Sequence, residues 1–265
     1  MRPPVALTIA GSDSGGGAGI VADLKTFEAH GVWGTTAIVA VTAQNTMGVQ
    51  AFETLPASLV RKQIESVVSD IGVDAAKTGM LATAELTRTV AACVSGLGLS
   101  NLVVDPVFVS KHGDTLLADD AVGALKSELI PLATVVTPNL PEASRLVGFD
   151  VDSREAMVEA GMRLVDMGAR VALVKGGHLG GEDSPDCLVA LEEGVTWLEA
   201  GRIPGRHTHG TGCVLSAAIA AELARGMEPA DACVAAKRFL ERAIASGLDL
   251  GAGVGPVNPG WGRQG

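Results

Sequence analysis

Residues 5–41 of the chain read VALTIAGSDSGGGAGIVADLKTFEAHGVWGTTAIVAV. Two short apolar runs, Val5–Ala10 and Thr35–Val41, flank a glycine-rich turn and an amphipathic stretch near Gly19–His30. Apolar runs of this length are typical of strands buried on both faces, and the stretch between them is typical of a helix that covers the sheet. The segment therefore predicts a β–α–β unit with parallel strands.

The same alternation continues along the 265 residues. Further strands are predicted at Asp74–Lys77, Leu102–Val104, Thr134–Thr137 and Arg170–Lys175, and an edge hairpin at Cys187–Leu191 and Val195–Leu198. Further helices are predicted at Ser58–Ile71, Ala84–Ser95, Asp119–Leu129, Ser153–Met167, Thr211–Arg225 and Pro229–Ala245. We expect one α/β domain over residues 1–265, with a mostly parallel sheet and a mobile, glycine-rich tail from about residue 247.

The composition argues against several classes of protein. Twenty Lys and Arg against 30 Asp and Glu give a formal net charge of −10, which offers no electrostatic footprint for nucleic acid or an anionic membrane. No run approaches the roughly 20 apolar residues of a membrane span. Four cysteines without C-x-x-C spacing indicate reduced thiols, so we expect a cytoplasmic protein.

Polar and glycine residues follow the predicted strands, where ligands of open parallel sheets bind. The first such loop contains Gly17-Ala18-Gly19, which fits the start of a dinucleotide fingerprint, but no carboxylate follows the second strand as that fingerprint requires. The Walker A pattern also fails, because no Gly-Lys-Ser/Thr follows. The loop is either a flexible turn or a backbone that approaches a small ligand, with Asp13 and Asp23 as polar contacts.

The segment His207–Cys213 is the most specific local signal. Gly210, Thr211 and Gly212 open a smooth helix, whose free N–H groups and positive dipole end suit a phosphoryl group or an oxyanion. Cys213 lies in the first turn, where we expect a thiol pKa below its ordinary value and a role as base or nucleophile. The alternative is a small cysteine that packs there. His207 and His209 could bind a metal with His178, but no further ligands with ordered spacing are evident.

Four charged residues are further candidates. Asp105, Glu142 and Lys175 lie at the ends of predicted strands, and Lys237 lies on the last predicted helix. Asp105 and Glu142 could hold the Mg²⁺ of a nucleotide, or could be charges favoured near helix N-termini. Lys175 could contact a transferring phosphate, or could be a surface lysine. Lys237, on a mostly apolar helix, has the same two interpretations.

Gln44 follows the second apolar run, and its amide offers the donor and acceptor that an uncharged nitrogen heterocycle requires. Met80 and Val107 could form the apolar wall of such a pocket, although singly they are as well explained as core residues.

These motifs together resemble the hydroxymethylpyrimidine and phosphomethylpyrimidine kinases of thiamine biosynthesis, which belong to the ribokinase-like group. The resemblance covers the chain nearly end to end and rests on Leu7–Asp13, Gly16–Ile20, Ala22–Phe27, Ala43–Thr46, Gly79–Leu81, Thr137–Ala143, Lys175–His178 and Thr208–Cys213. It implies a three-layer α/β/α fold and two ATP-dependent phosphorylations, from 4-amino-5-hydroxymethyl-2-methylpyrimidine to its monophosphate and then to its diphosphate.

The resemblance also implies roles by matching motif positions. The pyrimidine would be held by Gln44, with Asp23, Gly11 and Met80 around it, and Val107 is a further candidate for that pocket. Asn139 and Lys175 would contact the ATP phosphates, with Asp105 and Glu142 organising Mg²⁺, and Thr208 and Lys237 are further candidates for contacts with the nucleotide. Gly210, Thr211 and Gly212 would form the anion hole, and Cys213 stands where related sugar kinases carry a catalytic Asp, so it is the expected base.

Departures from the family pattern fall on Ser14, Gly15, Val21 and His112, none at the proposed chemical groups. The resemblance further implies a homodimer, to which the edge hairpin could contribute. Two alternatives remain. Close relatives phosphorylate pyridoxal or pyridoxine, which makes a second substrate plausible. A silent pyrimidine- or nucleotide-binding protein is disfavoured, because it would not need Asp105, Glu142, Lys175 and the 210–213 loop together.

Overall fold

The structure, a computed structural model, describes residues 2–108 and 119–263, so His112 lies outside the described residues. Within these residues, nine strands form one sheet in the order β3-β2-β1-β4-β5-β6-β7-β8-β9. The strands are β1 (Val5–Gly11), β2 (Trp33–Asn45), β3 (Gly48–Thr54), β4 (Ala75–Thr78), β5 (Leu102–Val104), β6 (Val135–Val136), β7 (Val171–Lys175), β8 (Asp186–Ala190) and β9 (Gly194–Leu198).

The central strands are parallel from β2 to β7, and antiparallel strands close both ends of the sheet. The predicted hairpin is β8–β9, with Leu188 opposite Thr196. Strand β3 was not predicted, because most of its side chains are exposed and its pairing with β2 is decided in three dimensions. Strand β2 is longer than predicted and includes Gln44, which therefore lies on the strand and not after it.

Helices cover both faces of the sheet, which confirms the three-layer prediction. They are α1 (Gly19–Ala29), α2 (Ala57–Asp70), α3 (Ala84–Gly96), α4 (Asp119–Ala124), α5 (Leu140–Val147), α6 (Arg154–Asp166), α7 (Thr211–Ala224) and α8 (Pro229–Ala245). After α4 the chain continues through a π-helical turn, Leu125–Leu129, and a short 3-10 turn, Ile130–Leu132. Helix α5 was not among the predicted helices, although Pro141 and Glu142 are typical of a helix start.

Alternate residues of the strands face two separate hydrophobic cores. On β5, Leu102 and Val104 pack with α2–α6, whereas Val103 packs with α1, α7 and α8. Helix α7 is buried around nearly its whole circumference, from Val214 to Leu223, because it lies between the sheet and two other helices. This position carries its N-terminus to the carboxyl ends of the central strands. In the described part of the chain, no helix is both long and apolar enough to cross a membrane.

The glycine-rich segment after α8 is held in place, in contrast to the mobility expected from its composition. Val254 donates its N–H to Thr46 O at 3.0 Å, and Val257 donates to His209 O at 3.1 Å. Val257 is also buried against the second core. The segment therefore joins the turn after β2 to the loop that precedes α7.

Gly161 allows α6 to approach β8 closely. A β-carbon at this position would collide with Cγ2 of Val189 and lie 3.1 Å from its Cβ, whereas a β-carbon at Gly96, at the exposed end of α3, would meet nothing within 4 Å.

We predict that Gly161→Ala lowers the free energy of unfolding by about 1–3 kcal/mol, because an overpacked core must shift. The matched variant Gly96→Ala should raise it by about 0.5–1 kcal/mol, since alanine restricts the unfolded chain and favours the helix. Urea unfolding followed by circular dichroism measures both, and equal effects of the two substitutions would contradict the packing argument.

Candidate active site

A cavity of about 800 Å³ opens at the carboxyl ends of the central strands. Except for Asp23, it is lined by every residue to which the family resemblance or the sequence gave a catalytic, substrate, nucleotide or Mg²⁺ role, namely Gly11, Gln44, Met80, Asp105, Val107, Asn139, Glu142, Lys175, Thr208, Gly210, Thr211, Gly212, Cys213 and Lys237. His207, a candidate metal ligand, is not among the lining residues. The fold thus brings residues from both ends of the chain to one site.

The N-terminus of α7 forms one wall of this cavity. Gly210 caps the helix with a φ of +81°, and a β-carbon there would collide with the carbonyl oxygen of Gly17. Only glycine combines this left-handed backbone with so close an approach. A β-carbon at Gly212 would lie 3.4 Å from Nζ of Lys175, so the free N–H groups of α7 and a lysine ammonium face the same space. Such an arrangement binds anions.

The glycine-rich loop after β1 is folded around the carboxylate of Asp13. This carboxylate accepts N–H bonds from Gly15, Gly17 and Ala18 at 2.8–3.0 Å and a bond from Nε2 of His209 at 2.8 Å. Burial acts to raise the pKa of Asp13, but the bond and charge of His209 and the N–H groups outweigh it and hold the pKa below its ordinary value. His209 is therefore part of a link between two loops, and no group of three or more possible metal ligands occurs among the described residues.

Cys213 differs from the prediction in its acidity. Burial raises the pKa of its thiol to about 11, although the positive charge of Lys77 acts in the opposite direction. The expected depression of the pKa by the helix start is therefore wrong, because the loss of solvent outweighs the helix dipole. A base at this position needs further electrostatic support.

Asp23 does not face the cavity, contrary to the expectation that it contacts the substrate. Its side chain is fully buried between α1 and the sheet, where both of its oxygens accept bonds from Nζ of Lys77, at 3.0 and 2.9 Å, and one accepts from Thr8 Oγ1 at 2.6 Å. Lys77, on β4, lines the cavity and was missed. The sequence did hold a signal for it, because Lys77 belongs to a strand that was predicted to be buried. A lysine in a buried strand requires a charged partner.

A second lysine lies between the two predicted Mg²⁺ ligands. Lys175 Nζ donates to Oδ1 of Asp105 at 3.2 Å and lies 3.9 Å from Oε2 of Glu142. Burial acts to raise the pKa of Asp105, but Lys175 and Lys77 hold it below its ordinary value. Burial raises the pKa of Glu142 to about 7, with Asp105 adding to the effect. Two buried carboxylates fit a Mg²⁺ that is held mainly by water and phosphate oxygens.

Two further residues predicted to contact the nucleotide, Asn139 and Lys237, are held in position by hydrogen bonds within the protein. Asn139 caps α5 through its side-chain oxygen, which accepts from the N–H of Glu142 at 2.9 Å, while Oε2 of Glu142 accepts from the N–H of Asn139 at 2.7 Å. Lys237 donates to Oδ2 of Asp186 at 2.7 Å and to Ser184 O at 3.1 Å. Asn139 and Lys237 are thus fixed on the side of the cavity opposite the glycine-rich loop.

The other end of the cavity combines one amide with apolar groups. The amide of Gln44 lies 3.5 Å from Nε2 of His209 and is otherwise directed to the cavity. A β-carbon at Gly11 would lie 2.5 Å from Cε of Met80, so the missing side chain leaves room for the methionine. An amide beside an apolar wall suits a flat heterocycle.

Comparison with known proteins identifies the family of this chain. A family model described as phosphomethylpyrimidine kinase matches residues 13–258. The hydroxymethylpyrimidine/phosphomethylpyrimidine kinase of Streptomyces coelicolor is 52% identical over 261 residues, which are 98% of this chain and 96% of the relative.

Solved structures give the same picture of the fold. An ADP complex of Bacillus subtilis pyridoxal kinase has a TM-score of 0.92 at 40% identity and is matched over 100% of both chains. Staphylococcus aureus pyridoxal kinase in complex with pyridoxal has a TM-score of 0.92 at 36% identity, over 100% of this chain and 96% of that one. The resemblance inferred from the motifs is confirmed, and this chain belongs to the phosphomethylpyrimidine kinase family.

Proposed function

We propose that the protein transfers the γ-phosphoryl group of ATP to the hydroxymethyl oxygen of 4-amino-5-hydroxymethyl-2-methylpyrimidine, and a second phosphoryl group to the resulting monophosphate. The observation that carries this proposal is one cavity in which the N-terminus of α7, Lys175 and two carboxylates lie beside the amide of Gln44. The helix N-terminus supplies a site for an anion, Lys175 supplies a positive charge for a phosphate, and Gln44 supplies hydrogen bonds for a heterocycle. The family relatives bear the same activity in their names.

The mechanism requires mainly positioning and charge stabilisation. The hydroxymethyl oxygen forms a bond to the γ-phosphorus, the bond from that phosphorus to the β–γ bridging oxygen breaks, and ADP leaves. The hydroxymethyl proton passes to Sγ of Cys213. The N–H groups of Gly210–Gly212 and the ammonium of Lys175 bind the charge that develops on the transferring group.

Asp105 and Glu142 would hold Mg²⁺, which when bound neutralises phosphate charge. Asn139 and Lys237 would contact the nucleotide from the wall opposite the glycine-rich loop, and Thr208 would contact it from the loop that precedes α7. At the substrate end, Gln44 would bind the ring nitrogens and amino group of the pyrimidine, while Gly11, Met80 and Val107 would enclose the ring. Asp23 has no place among these contacts, because it is buried behind Lys77.

Product analysis tests the activity directly. We predict that the purified protein with Mg-ATP converts hydroxymethylpyrimidine first to a monophosphate and then to a diphosphate, as seen by mass spectrometry. A parallel reaction contains pyridoxal, because a neighbouring pyridoxal kinase structure has that compound bound. Phosphate on pyridoxal alone would favour the second candidate substrate, and phosphate on neither compound would overturn the proposed activity.

The base role of Cys213 predicts a specific pH dependence. Because the thiol pKa is raised to about 11, the thiolate fraction and kcat should rise about tenfold per pH unit between pH 7 and 9. Cys213→Ala should lower kcat by about 10²–10⁴-fold. Cys213→Asp should retain activity, with its rise in kcat displaced to lower pH, since a carboxyl group ionises well below a thiol in the same buried position.

Cys93→Ala serves as the control, because Cys93 is buried in α3 away from the cavity. It should leave both kcat and the pH profile unchanged. Full turnover of Cys213→Ala at neutral pH would exclude the base role.

We further propose that two copies associate along the β3 edge of the sheet. This edge carries exposed apolar side chains, among them Met47 (64% exposed) and Phe52 (45%), whereas the β8–β9 hairpin offers mainly Leu191 at its turn. We predict a dimer of the 26.9 kDa chain in sedimentation velocity, which Phe52→Lys weakens and Leu191→Lys leaves intact. A monomeric native protein, or dissociation by Leu191→Lys alone, would contradict this assignment.

A further inference from the structure

The turn at residues 13–16 packs against the end of β2, and the proposed transfer does not yet use it. The turn contains Ser14 and Gly15, two positions at which the sequence departs from the family pattern. Gly16 donates its N–H to Asp13 O at 2.9 Å, and an Asp in the first position with a Gly in the fourth is typical of a β-turn. The Asp13 carboxylate also accepts from the N–H of Gly15 at 2.8 Å. The turn is therefore fixed from within, with Ser14 in its second position.

Serine hydroxyls continue the sheet beyond the end of β1. The pairing of β1 with β2 ends at Gly11. Beyond it, the N–H of Thr42 donates to Oγ of Ser12 at 3.0 Å. Two residues further along β2, the N–H of Gln44 donates to Oγ of Ser14 at 2.7 Å, and the same hydroxyl donates to Gln44 O at 2.7 Å. The two hydroxyls thus take the place of backbone groups of a neighbouring strand along this edge of β2.

The other edge of β2 holds Gln44 less regularly. The pairing of β2 with β3 shifts its register between Ala43 and Gln44. An irregularity of this kind disrupts the hydrogen-bond ladder locally and can re-aim a side chain. The two bonds to the Ser14 hydroxyl therefore fix the backbone of Gln44 at the point where both neighbouring strands lose their regular pairing with it.

Gly15 lets the turn lie close enough for these bonds. A β-carbon at Gly15 would lie 3.3 Å from Cα of Asn45 and 3.4 Å from Gln44 O. Both distances are shorter than side chains ordinarily keep, so a larger residue would push the turn away from β2. The departures at Ser14 and Gly15 therefore act together: one supplies the hydroxyl, and the other leaves room for its approach.

The backbone of Gln44 decides where its amide lies in the cavity. The amide nitrogen is 3.5 Å from Nε2 of His209, which is the limit of a hydrogen bond. That ring nitrogen is already paired with Asp13 at 2.8 Å. The amide therefore takes its position mainly from the backbone that carries it, and it lines the cavity beside the apolar wall.

We propose that Ser14 is a positioning residue for the pyrimidine: its hydroxyl, held by the turn at 13–16, fixes the backbone of Gln44 and so sets the reach of the Gln44 amide into the cavity. The inference deepens the proposed function, because it rests on Gln44 binding the heterocycle. Loss of the hydroxyl weakens binding of the pyrimidine and leaves the groups that act on the phosphoryl group in place.

Binding of hydroxymethylpyrimidine without ATP, measured by titration calorimetry, tests this inference apart from catalysis. Ser14 is exposed, so we expect Ser14→Ala to fold. It should raise the Kd about five- to tenfold, which is the effect of losing two hydrogen bonds near the lower end of their usual contribution. In turnover, the KM for the pyrimidine should rise by the same factor, while kcat and the KM for ATP stay within about twofold. Ser14→Thr keeps the hydroxyl and should keep the native Kd.

Lys25→Met is the matched control. Lys25 Nζ donates to the carbonyl of Gly16 in the same turn at 2.6 Å, but Lys25 does not line the cavity. Its loss should leave the Kd for the pyrimidine within about twofold. Exchange of the Gln44 N–H with deuterium, followed by NMR, reports on the backbone itself. This exchange should be faster in Ser14→Ala than in the native protein, and unchanged in Ser14→Thr and Lys25→Met.

An unchanged Kd in Ser14→Ala would overturn the inference, as would an equal rise in Lys25→Met, which would indicate a general loosening of the turn. The outcomes also separate this inference from the proposed function. A native protein that does not bind the pyrimidine would overturn the proposed substrate and this inference with it. Native binding and phosphorylation that Ser14→Ala leaves unchanged would overturn this inference alone.

Discussion

The hydrogen bond between Asp13 and His209 joins the two loops on which the site depends. It connects residues 196 positions apart in the chain, at 2.8 Å. Asp13 also folds the glycine-rich loop around itself, and His209 precedes the residue that caps α7. Since Gly210 then lies against the carbonyl of Gly17, the glycine-rich loop and the N-terminus of α7 are held together as one unit.

The buried lysines and carboxylates beside this unit fall into two groups. Lys77 neutralises Asp23, while Lys175 lies between Asp105 and Glu142. Each lysine belongs to a strand, so neither depends on a flexible loop for its position. Preorganised charges of this kind are effective in phosphoryl transfer because they need no rearrangement when negative charge develops.

Most of the sheet was predictable from the chain, since its central strands are continuous apolar runs that end in polar or glycine residues. Strand β5 agrees with the prediction at both ends, and α8 does so as well. Strand β3 was missed because its side chains are mostly exposed and its residues pair only through β2. The prediction that the thiol pKa of Cys213 is lowered was wrong, because it considered the helix start without the burial of the thiol.

The sequence by itself determined the fold class, the family and a set of residues that line the cavity, because motifs at strand ends converge on one edge of a parallel sheet. Only the tertiary structure decided which polar side chains face that cavity and which are partnered beneath it. Asp13 and Asp23 are alike in the sequence, yet one organises a loop and the other neutralises Lys77. The physical reason is that the burial of a side chain and its charged partners come from residues distant in the chain, and these decide its protonation and its role.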